Sequence, residues 1–293
     1  MHGTVLDFET HRRRLLAIAY RMLGSRADAE DVVQDAWMRW NDVRCQEVEN
    51  VPAFLSRIVT RLCLDRMKSA QSQREVYVGT WLPEPVVDDD YLFQPEPLAA
   101  HELACDLSFA FLLMLERLSP LERAAFLLHD VFDMSFSDIA SMLDKKETAC
   151  RQLAARARAA LKSSRRSIPL PQESGARLAQ AFVSAARDGD VAALASVLAE
   201  DVIFLSDGGG HVAAVPYALL GQANVLRAIT GFATKLVPDA IHIRPARING
   251  LAGLVVSANG EMIQTMAFEM NAEGLINAIY IMRNPEKLRR VTP

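Results

Sequence analysis

The segment SFSDIASMLDKKETACRQLAARARAALK, Ser135 to Lys162, decides the fold of the middle of this chain. Ser135, with Asp138 three residues later, is typical of a helix start, because a serine hydroxyl can accept from the amide three residues on. A short turn from Asp144 to Lys146 separates this helix from a second, alanine-rich one. Two short helices joined in this way predict a helix-turn-helix, whose second helix can enter the major groove of DNA.

The second helix of this segment has two different faces. One face is apolar and holds Ala149, Cys150, Leu153, Ala157, Ala160 and Leu161. The opposite, cationic face holds Thr148, Arg151, Gln152, Ala155, Arg158 and Lys162, with Arg156 on its shoulder. Arg and Gln side chains can read base edges, while Lys and outer Arg side chains can hold phosphate. The cationic face therefore favours DNA binding, and a merely solvated basic face is the alternative.

Composition alone places few limits on function. The chain has 293 residues, 51% of them hydrophobic and 23% charged, which is ordinary for a globular protein of one to three domains. Its net charge is −4, but the charge is segregated: residues 145–166 hold eight Lys or Arg against one acid, and residues 84–106 hold seven acids without any Lys or Arg. Segregation of this kind suggests parts with different tasks.

Several classes of protein are disfavoured by the sequence. The four cysteines, Cys45, Cys63, Cys105 and Cys150, fit neither a CxxC motif nor a zinc spacing. No apolar run is long enough for a membrane span, and the first twenty residues lack the apolar core of a signal peptide. We therefore expect a cytoplasmic protein that binds no metal and no membrane.

The first part of the chain predicts three helices. Residues 8–23 have a helical apolar pattern that stops at Gly24, and residues 25–40 repeat apolar side chains at helical spacing. On the far side of this second helix lie Asp28, Asp31 and Asp35, which favour contact with a basic protein partner, although a solvated surface is the alternative. A third, basic helix begins at Pro52 and can hold a nucleic-acid backbone, again with a solvated face as the alternative.

The stretch YVGTWLPEPVVDDD, Tyr77 to Asp90, is unusually apolar for a link between two helical regions. Pro83 and Pro85 fix φ and push the residues before them towards extended conformations, which predicts a short extended rod. An exposed Trp81 on such a rod would be a liability in a soluble protein. We therefore expect this linker to dock on another part of the protein.

Beyond the proline-containing stretch SIPLPQES, residues 167–174, the pattern becomes mixed. Helices are predicted at 177–187, 191–199 and 222–236, strands at 202–205, 241–248, 254–257, 261–270 and 275–282, and a loop at 207–210. The turns Asn249-Gly250, Asn259-Gly260 and Glu273-Gly274 suit hairpins. An all-α half is thus followed by an α+β domain with a curved antiparallel sheet.

Three blocks of the chain together resemble a known family. RLLAIAYRMLGSRADAEDVVQDAWMRW (14–40) and AFLSRIVTRLCLDRMKS (53–69) are similar to region 2 of the bacterial extracytoplasmic-function RNA polymerase sigma factors, and residues 115–161 are similar to region 4. WLPEP (81–85), DGGG (207–210) and NPEKL (284–288) resemble the subgroup with a fused SnoaL-like (NTF2-like) domain. The resemblance covers nearly the whole chain.

This resemblance implies an arrangement of domains. Sigma region 2 would occupy 1–76, the linker 77–97, sigma region 4 98–166 and a SnoaL-like regulatory domain 174–293. The fold class would be two all-α sigma domains, the second with a helix-turn-helix, followed by an α+β NTF2-like cone. One departure concerns Lys145, which stands at the expected cap of the recognition helix in place of Ser or Thr and leaves its start open by a residue or two.

Roles for individual residues follow from the resemblance. Binding to the β′ clamp helices of core polymerase would involve Asp28, Asp31, Gln34, Asp35 and Trp37. Capture of the −10 element would involve Arg57, Arg61, Arg66, Lys68 and Arg74. Reading of the −35 element would involve Thr148, Arg151, Gln152, Ala155, Arg156, Arg158 and Lys162. Regulation between domains would involve Trp81, Leu82, Pro83, Glu84, Pro85, Asp207, Gly208, Gly209, Gly210, Asn284, Pro285, Glu286, Lys287 and Leu288.

The implied partners are core RNA polymerase, through its β′ clamp helices and β flap, and promoter DNA. The SnoaL-like domain would regulate in cis, so a separate anti-sigma factor is not expected to be required. No cofactor and no catalytic residue are expected, and a small-molecule ligand in the pocket of the SnoaL-like domain remains open.

Two alternatives come from other functional classes. A ligand-sensing helix-turn-helix regulator would bind DNA without polymerase, and would leave the acidic helix unexplained. An isomerase or cyclase in the C-terminal domain would need a buried carboxylate base. Candidate residues for that chemistry are Asp207, His211, Tyr217, His242 and Glu261, although a turn-forming role is the simpler explanation of Asp207 beside its glycines.

Overall fold

The computed structural model describes residues 5–42, 48–74, 77–87, 107–162, 172–233 and 241–292. The chain forms two compact units. The first contains Met1–Glu75 and Asp90–Arg165, and the second contains Val76–Asp89 and Arg166–Pro293. The described part of the linker, residues 77–87, therefore belongs to the same unit as the C-terminal part of the chain.

Three helices begin the first unit: α1 (Val5–Leu23), α2 (Arg26–Asn41) and α3 (Val51–Arg74). Gly24, with φ +67°, ends α1, and the Ser25 hydroxyl accepts from the Asp28 amide to start α2. The periodic apolar positions predicted for α2 are buried, including Val32, Val33 and Trp40.

The second half of this unit carries α4 (Phe109–Glu116), α5 (Pro120–Phe126), a π-helical turn (Leu127–Val131), α6 (Phe136–Leu143) and α7 (Glu147–Leu161). The helix predicted over 98–118 begins only at Phe109 within the described residues, after a Ser108 cap. α5 starts with a capping box, in which Ser119 and Glu122 exchange hydrogen bonds. Helix α7 has Lys146 at its N-cap and not Lys145, and Lys146 makes no side-chain cap bond.

Three arginines tie the two halves of the first unit together. Arg123 Nη1 donates to the Met22 carbonyl at 2.6 Å, Arg14 Nη2 donates to Phe132 at 2.8 Å, and Arg61 Nε donates to Met142 at 3.1 Å. Burial lowers the pKa of Arg123 to about 10, so this guanidinium remains charged at neutral pH. Glu116, 2.8 Å away, balances that buried charge.

The second unit is an α+β structure. Its helices are α8 (Gln172–Asp188), α9 (Val191–Val197), α10 (Gln222–Ala233) and the short α11 (Pro285–Leu288). Its strands are β1 (Leu198–Asp207), β2 (Leu219–Leu220), β3 (Ile241–Ile248), β4 (Leu251–Ala258), β5 (Glu261–Met270) and β6 (Ile276–Met282). The sheet has the order β2-β1-β6-β5-β4-β3.

The sheet differs in one respect from the antiparallel sheet predicted by the sequence. β1 pairs with β6 in parallel, while all the other named pairs are antiparallel, so the sheet is mixed. The hairpin predictions are confirmed at Asn249 and Asn259, since both have φ near +52° and are followed by a glycine with positive φ. Helices α8, α9 and α10 contribute Phe182, Leu194 and Val225 to the core against one face of this sheet.

No helix in the described ranges is long and apolar enough to cross a membrane. Among those same residues, no group of three or more His, Cys, Asp or Glu side chains could hold a metal ion.

Candidate functional site

Asp207, the last residue of β1, anchors the linker. Its Oδ1 accepts from the Tyr77 hydroxyl at 2.6 Å and from the Gly209 amide at 2.9 Å. Its Oδ2 accepts from the Leu82 amide at 2.9 Å and from Lys287 Nζ at 2.7 Å. The carboxylate is fully buried, and four donors, one of them cationic, compensate its lost hydration.

Lys287 closes this anchor from α11. Besides binding Asp207, its Nζ donates to the Leu82 carbonyl at 2.6 Å and lies 4.9 Å from the centroid of the Tyr77 ring and 4.5 Å from that of Trp81. Burial, followed by the hydrogen bond to Asp207, raises the pKa of Tyr77, so its hydroxyl stays protonated and donates. Asn284 Nδ2 donates to the same hydroxyl at 2.9 Å.

The linker lies largely out of solvent. Leu82 is completely buried, and Pro83, Glu84, Pro85 and Val86 are also buried. Trp81 is only half-buried, with the Lys287 ammonium over its ring, so Leu82 and not Trp81 is the side chain that the second unit encloses fully. Arg290 Nη1 lies 4.0 Å from the buried Glu84 carboxylate.

A second anchor lies at the turn between β3 and β4. Asn249 Oδ1 accepts from the Val86 amide at 3.0 Å, and the Asn249 amide donates to the Val86 carbonyl at 2.8 Å. Val87 adds an antiparallel bridge to Ile248. The sequence predicted Asn249 only as a turn residue and did not predict Tyr77 as a ligand of Asp207.

The glycine loop after β1 is shaped by close contacts with α11. Gly209 has φ +62°, and a Cβ placed on it would lie 2.3 Å from the Asn284 amide nitrogen. A Cβ on Gly208 would lie 2.4 Å from the Val212 carbonyl oxygen. The Asp207 carbonyl accepts from the Asn284 amide at 3.0 Å, and Leu288 is buried. The structure therefore brings together the linker, the loop at 207–210 and the segment 284–288, which the sequence analysis grouped.

The cationic face of α7 is exposed, but its arginines have acidic neighbours. Arg151 Nη2 contacts Glu147 Oε1 at 2.5 Å, Arg156 Nε contacts Glu122 at 3.0 Å and Arg158 Nε contacts Asp130 at 2.7 Å. Thr148, Gln152, Ala155 and Lys162 are exposed on this face, while Cys150, Leu153, Ala154 and Ala157 are buried. This is the amphipathic arrangement that major-groove entry needs.

The acidic stripe on α2 is partly neutralised by α3. Arg66 Nη2 lies 2.8 Å from Asp28 Oδ1 and 2.9 Å from Asp31 Oδ2. No described cation lies within 4.0 Å of Asp35, and Gln34 is exposed. Trp37 packs edge-on against Phe8, with ring centroids 5.1 Å apart. Arg66, which was predicted above to contact the −10 element, is thus paired with the acidic stripe.

The remaining −10 candidates on α3 have separate surroundings. The Arg57 guanidinium lies 5.4 Å from the centroid of the Phe54 ring, and the exposed Lys68 pairs with Asp65 at 3.1 Å. Arg61 donates to the last turn of α6, as described above. The side chain of Arg74 lies outside the described residues.

The residues considered for isomerase or cyclase chemistry have different surroundings. Asp207 is occupied by the linker, whereas His211, Tyr217, His242 and Glu261 are all exposed. Between α8–α10 and the sheet lies a hydrophobic cluster that includes Phe182, Leu194 and Phe268.

Comparisons with known proteins agree with the two helical regions. Residues 8–73 match the family model for sigma-70 region 2, and residues 108–161 match that for sigma-70, region 4. The chain is 37% identical to the ECF RNA polymerase sigma factor SigJ of Mycobacterium tuberculosis, over 97% of this chain and 92% of that protein. It is 30% identical to the probable ECF sigma factor SigI of the same species, over 96% and 93%. The crystal structure of M. tuberculosis SigJ superposes with a TM-score of 0.72 at 32% identity, covering 97% of this chain and 98% of that one.

Proposed function

We propose that this chain, which belongs to the extracytoplasmic-function RNA polymerase sigma factors, is regulated in cis by a SnoaL-like second unit that holds the linker. Sigma factors of this kind bind core RNA polymerase and promoter DNA and direct promoter-specific transcription initiation. The proposal concerns how this chain controls that activity and which residues perform it.

The observation that carries the proposal is the double anchor of the linker. Asp207 and Lys287 bind the backbone amide and carbonyl of Leu82. Asn249 accepts a hydrogen bond from the Val86 amide and donates one to the Val86 carbonyl. In the chain, this linker is what joins region 2 to region 4. Eleven extended residues, 77–87, would span about 35 Å. When the second unit holds them, they cannot contribute this length to the distance between region 2 and region 4.

We assign the contacts with polymerase and promoter to surfaces of α2, α7 and α3. The acidic stripe of α2, in which Asp31 and Gln34 are exposed and Asp35 is half-buried, would bind the β′ clamp helices. The cationic face of α7 would read the −35 element, and Arg57, Arg61 and Lys68 of α3 would contact the −10 element. Arg66 would instead support the stripe through Asp28 and Asp31.

The proposed function requires neither catalysis nor a separate anti-sigma factor. The cis-acting second unit would take the role of such a factor, and the protein would act in the cytoplasm with polymerase. The exposed positions of His211, His242 and Glu261 support a binding role over an isomerase or cyclase.

In vitro transcription tests both parts of the proposal. Purified core polymerase with the full chain is expected to start transcription at sites on genomic DNA that share −10 and −35 motifs, mapped by sequencing the 5′ ends. Lys287→Met and Asn249→Gly, each weakening one anchor, are expected to increase output at those same sites. Absence of start sites beyond those of core polymerase alone would contradict the promoter function. Unchanged output from both variants would contradict regulation through the linker.

A further inference from the structure

Phe136 lies in a stack of three side chains within the helix-turn-helix. The His129 ring stacks on it with centroids 3.9 Å apart and an interplanar angle of 30°. The Arg151 guanidinium lies 4.7 Å from the centroid of the same Phe136 ring. Arg151 is one of the residues predicted above to read the −35 element, whereas neither aromatic neighbour was predicted to have a role.

The Phe136 ring that contacts Arg151 is held in place by two neighbouring backbone segments. Phe136 is the first residue of α6, directly after the Ser135 cap, whose hydroxyl accepts from the Asp138 amide at 3.1 Å. His129 belongs to the π-helical turn, and its Nδ1 lies 2.9 Å from the Met134 carbonyl oxygen, which sets the ring orientation. Two separately anchored backbone segments therefore hold the ring that Arg151 rests on.

Glu147 fixes the edge of the same guanidinium. Its Oε1 accepts from Arg151 Nη2 at 2.5 Å, one helical turn earlier in α7. The ring contact uses the flat face of the guanidinium, and Glu147 uses one of its five N–H donors, so the other in-plane donors remain available. The Arg151 side chain is 58% exposed, so those donors can reach a ligand outside the protein.

We propose that Phe136 and Glu147 are positioning residues that hold Arg151 ready to read a guanine in the −35 element. This inference rests on the proposed −35 role of α7. Arginine recognises guanine through two parallel hydrogen bonds to O6 and N7, which require one orientation of the planar guanidinium. An unsupported arginine can turn instead to phosphate, which carries no sequence information. The Glu147 carboxylate opposes that alternative, because it would face the phosphate with like charge.

A selection experiment tests the positioning role. Duplexes randomised over the ten base pairs of the −35 region are bound to the full chain with core polymerase, and the enrichment of each base is measured. The wild type is expected to enrich guanine at one position, and Arg151→Ala to lose that enrichment. Phe136→Leu should reduce it about two- to fivefold at that position only, because an exposed cation–π contact contributes about 0.5–1 kcal/mol. Phe136→Tyr, which keeps the ring, should restore it.

The Arg151→Ala background separates positioning from general damage. In that background Phe136→Leu should cause no further change in base preference, because the side chain that it positions is gone. Glu147→Ala should lower guanine enrichment and raise binding to duplexes of random sequence.

Each failure has its own meaning. If the wild type enriches no motif, or if Arg151→Ala leaves the motif unchanged, the −35 role of α7 is wrong. If Arg151→Ala acts as expected but Phe136→Leu changes nothing, or lowers enrichment equally at every position, the positioning role is wrong while the −35 role stands.

Discussion

At the scale of single residues, Asn249 combines a backbone role with a binding role. Its φ of +52° suits the turn, and its side chain accepts from the Val86 amide. Asn249→Gly keeps the backbone conformation and removes the acceptor. We expect the Val86 amide to exchange its hydrogen about fivefold faster, since one such bond contributes about 1 kcal/mol. Hydrogen exchange followed by mass spectrometry or NMR measures this.

Asn259 provides the matched control for this substitution. It has φ +53° in the next hairpin turn, but its side chain is exposed. Asn259→Gly should leave Val86 exchange unchanged. Equal acceleration by both substitutions would mean that the hairpins, and not the Asn249 side chain, protect the linker.

Lys287 is the residue whose loss should damage the linker anchor most. Lys287→Met leaves the Asp207 carboxylate buried without its cation, and removing one partner of a buried pair costs about 3–5 kcal/mol. We expect the free energy of unfolding of the second unit to fall by that amount. Urea unfolding followed by Trp81 fluorescence, with Trp37 and Trp40 replaced by Phe, measures it.

Two further variants make this test specific. Arg227→Met removes an exposed cation bonded to Asn224 of its own helix, and should change stability by less than about 0.5 kcal/mol. Asp207→Asn combined with Lys287→Met should recover part of the loss, because no unpaired charge then remains buried. A loss for Lys287→Met as small as that for Arg227→Met would contradict the anchor.

Residue-level prediction from the sequence succeeded where neighbours in the chain decide the outcome. The turn at Asn249 follows from its own φ preference and from Gly250. Its bond to Val86 joins residues 163 positions apart, and no local pattern encodes that pairing. Trp81 was the reason to expect that the linker docks, yet its neighbour Leu82 is the side chain that is fully enclosed. Alternate side chains of an extended strand point to opposite sides, and size does not decide which side is covered.

At the scale of elements, two arginines of α7 are expected to behave differently. Arg158 pairs with Asp130, whose Oδ2 is buried and has no hydrogen-bond partner within the described residues. Arg158→Ala should therefore lower the stability of the first unit by about 1–3 kcal/mol. The sequence alone had suggested Arg158 as a phosphate contact. Thermal unfolding of the full chain checks the stability change.

Arg156 is the comparison for Arg158. Its side chain is 66% exposed although it pairs with Glu122. Arg156→Ala should leave unfolding unchanged, weaken binding to all duplexes and reduce the salt slope of binding by about one. If Arg158→Ala also leaves the unfolding temperature unchanged and reduces the salt slope of binding, the Arg158–Asp130 pair does not stabilise the first unit.

The acidic stripe of α2 gives a similar contrast. Asp35→Lys should abolish co-purification with core polymerase and leave thermal unfolding unchanged, because no described cation supports Asp35. Asp28→Lys should lower the unfolding temperature as well, because it places a like charge beside Arg66, 2.8 Å away. Retained polymerase binding by Asp35→Lys in a pull-down at moderate salt would contradict the proposed interface.

Most elements were predictable because their start and stop signals are local. Ser25, Ser119 and Ser135 cap helices as their sequences indicate. The parallel pairing of β1 with β6 was not predictable from hairpin signals, since four other strands and α10 lie between these two strands in the chain. The π-helical turn at Leu127–Val131 was also missed, because its apolar pattern is that of an ordinary helix.

At the scale of the whole molecule, the first unit is too compact to serve both promoter elements at once. A unit of about 150 residues has a radius of gyration of about 15 Å. The −10 and −35 elements are centred about 25 base pairs apart, roughly 80 Å along straight duplex DNA. If the two halves bind these elements as proposed, we expect the bonds of Arg14, Arg61 and Arg123 between them to break on the promoter. Arg61 illustrates this directly, since its proposed −10 contact and its bond to Met142 compete for the same guanidinium.

Energy transfer between two dyes should report this opening. Glu9→Cys in α1 and Ser141→Cys in α6 place labels on exposed positions of the two halves, in a chain whose four native cysteines are replaced by alanine. Transfer is expected to be efficient in the free protein and to fall when core polymerase and a promoter duplex are added. Arg123→Met should lower transfer already in the free protein, because it removes the bond to Met22 and leaves Glu116 without its cation.

A label pair within region 2 distinguishes opening from unfolding. With Glu9→Cys and Asp65→Cys, both labels lie on α1 and α3, which keep their contact when the halves separate. Transfer in this pair should stay constant on promoter binding. A fall in both pairs would mean that region 2 itself unfolds. Constant transfer in the Glu9–Ser141 pair during active transcription would mean that the DNA bends to meet a closed protein. In that case the linker anchors at Asp207 and Asn249 would have no separation of the sigma regions to restrain.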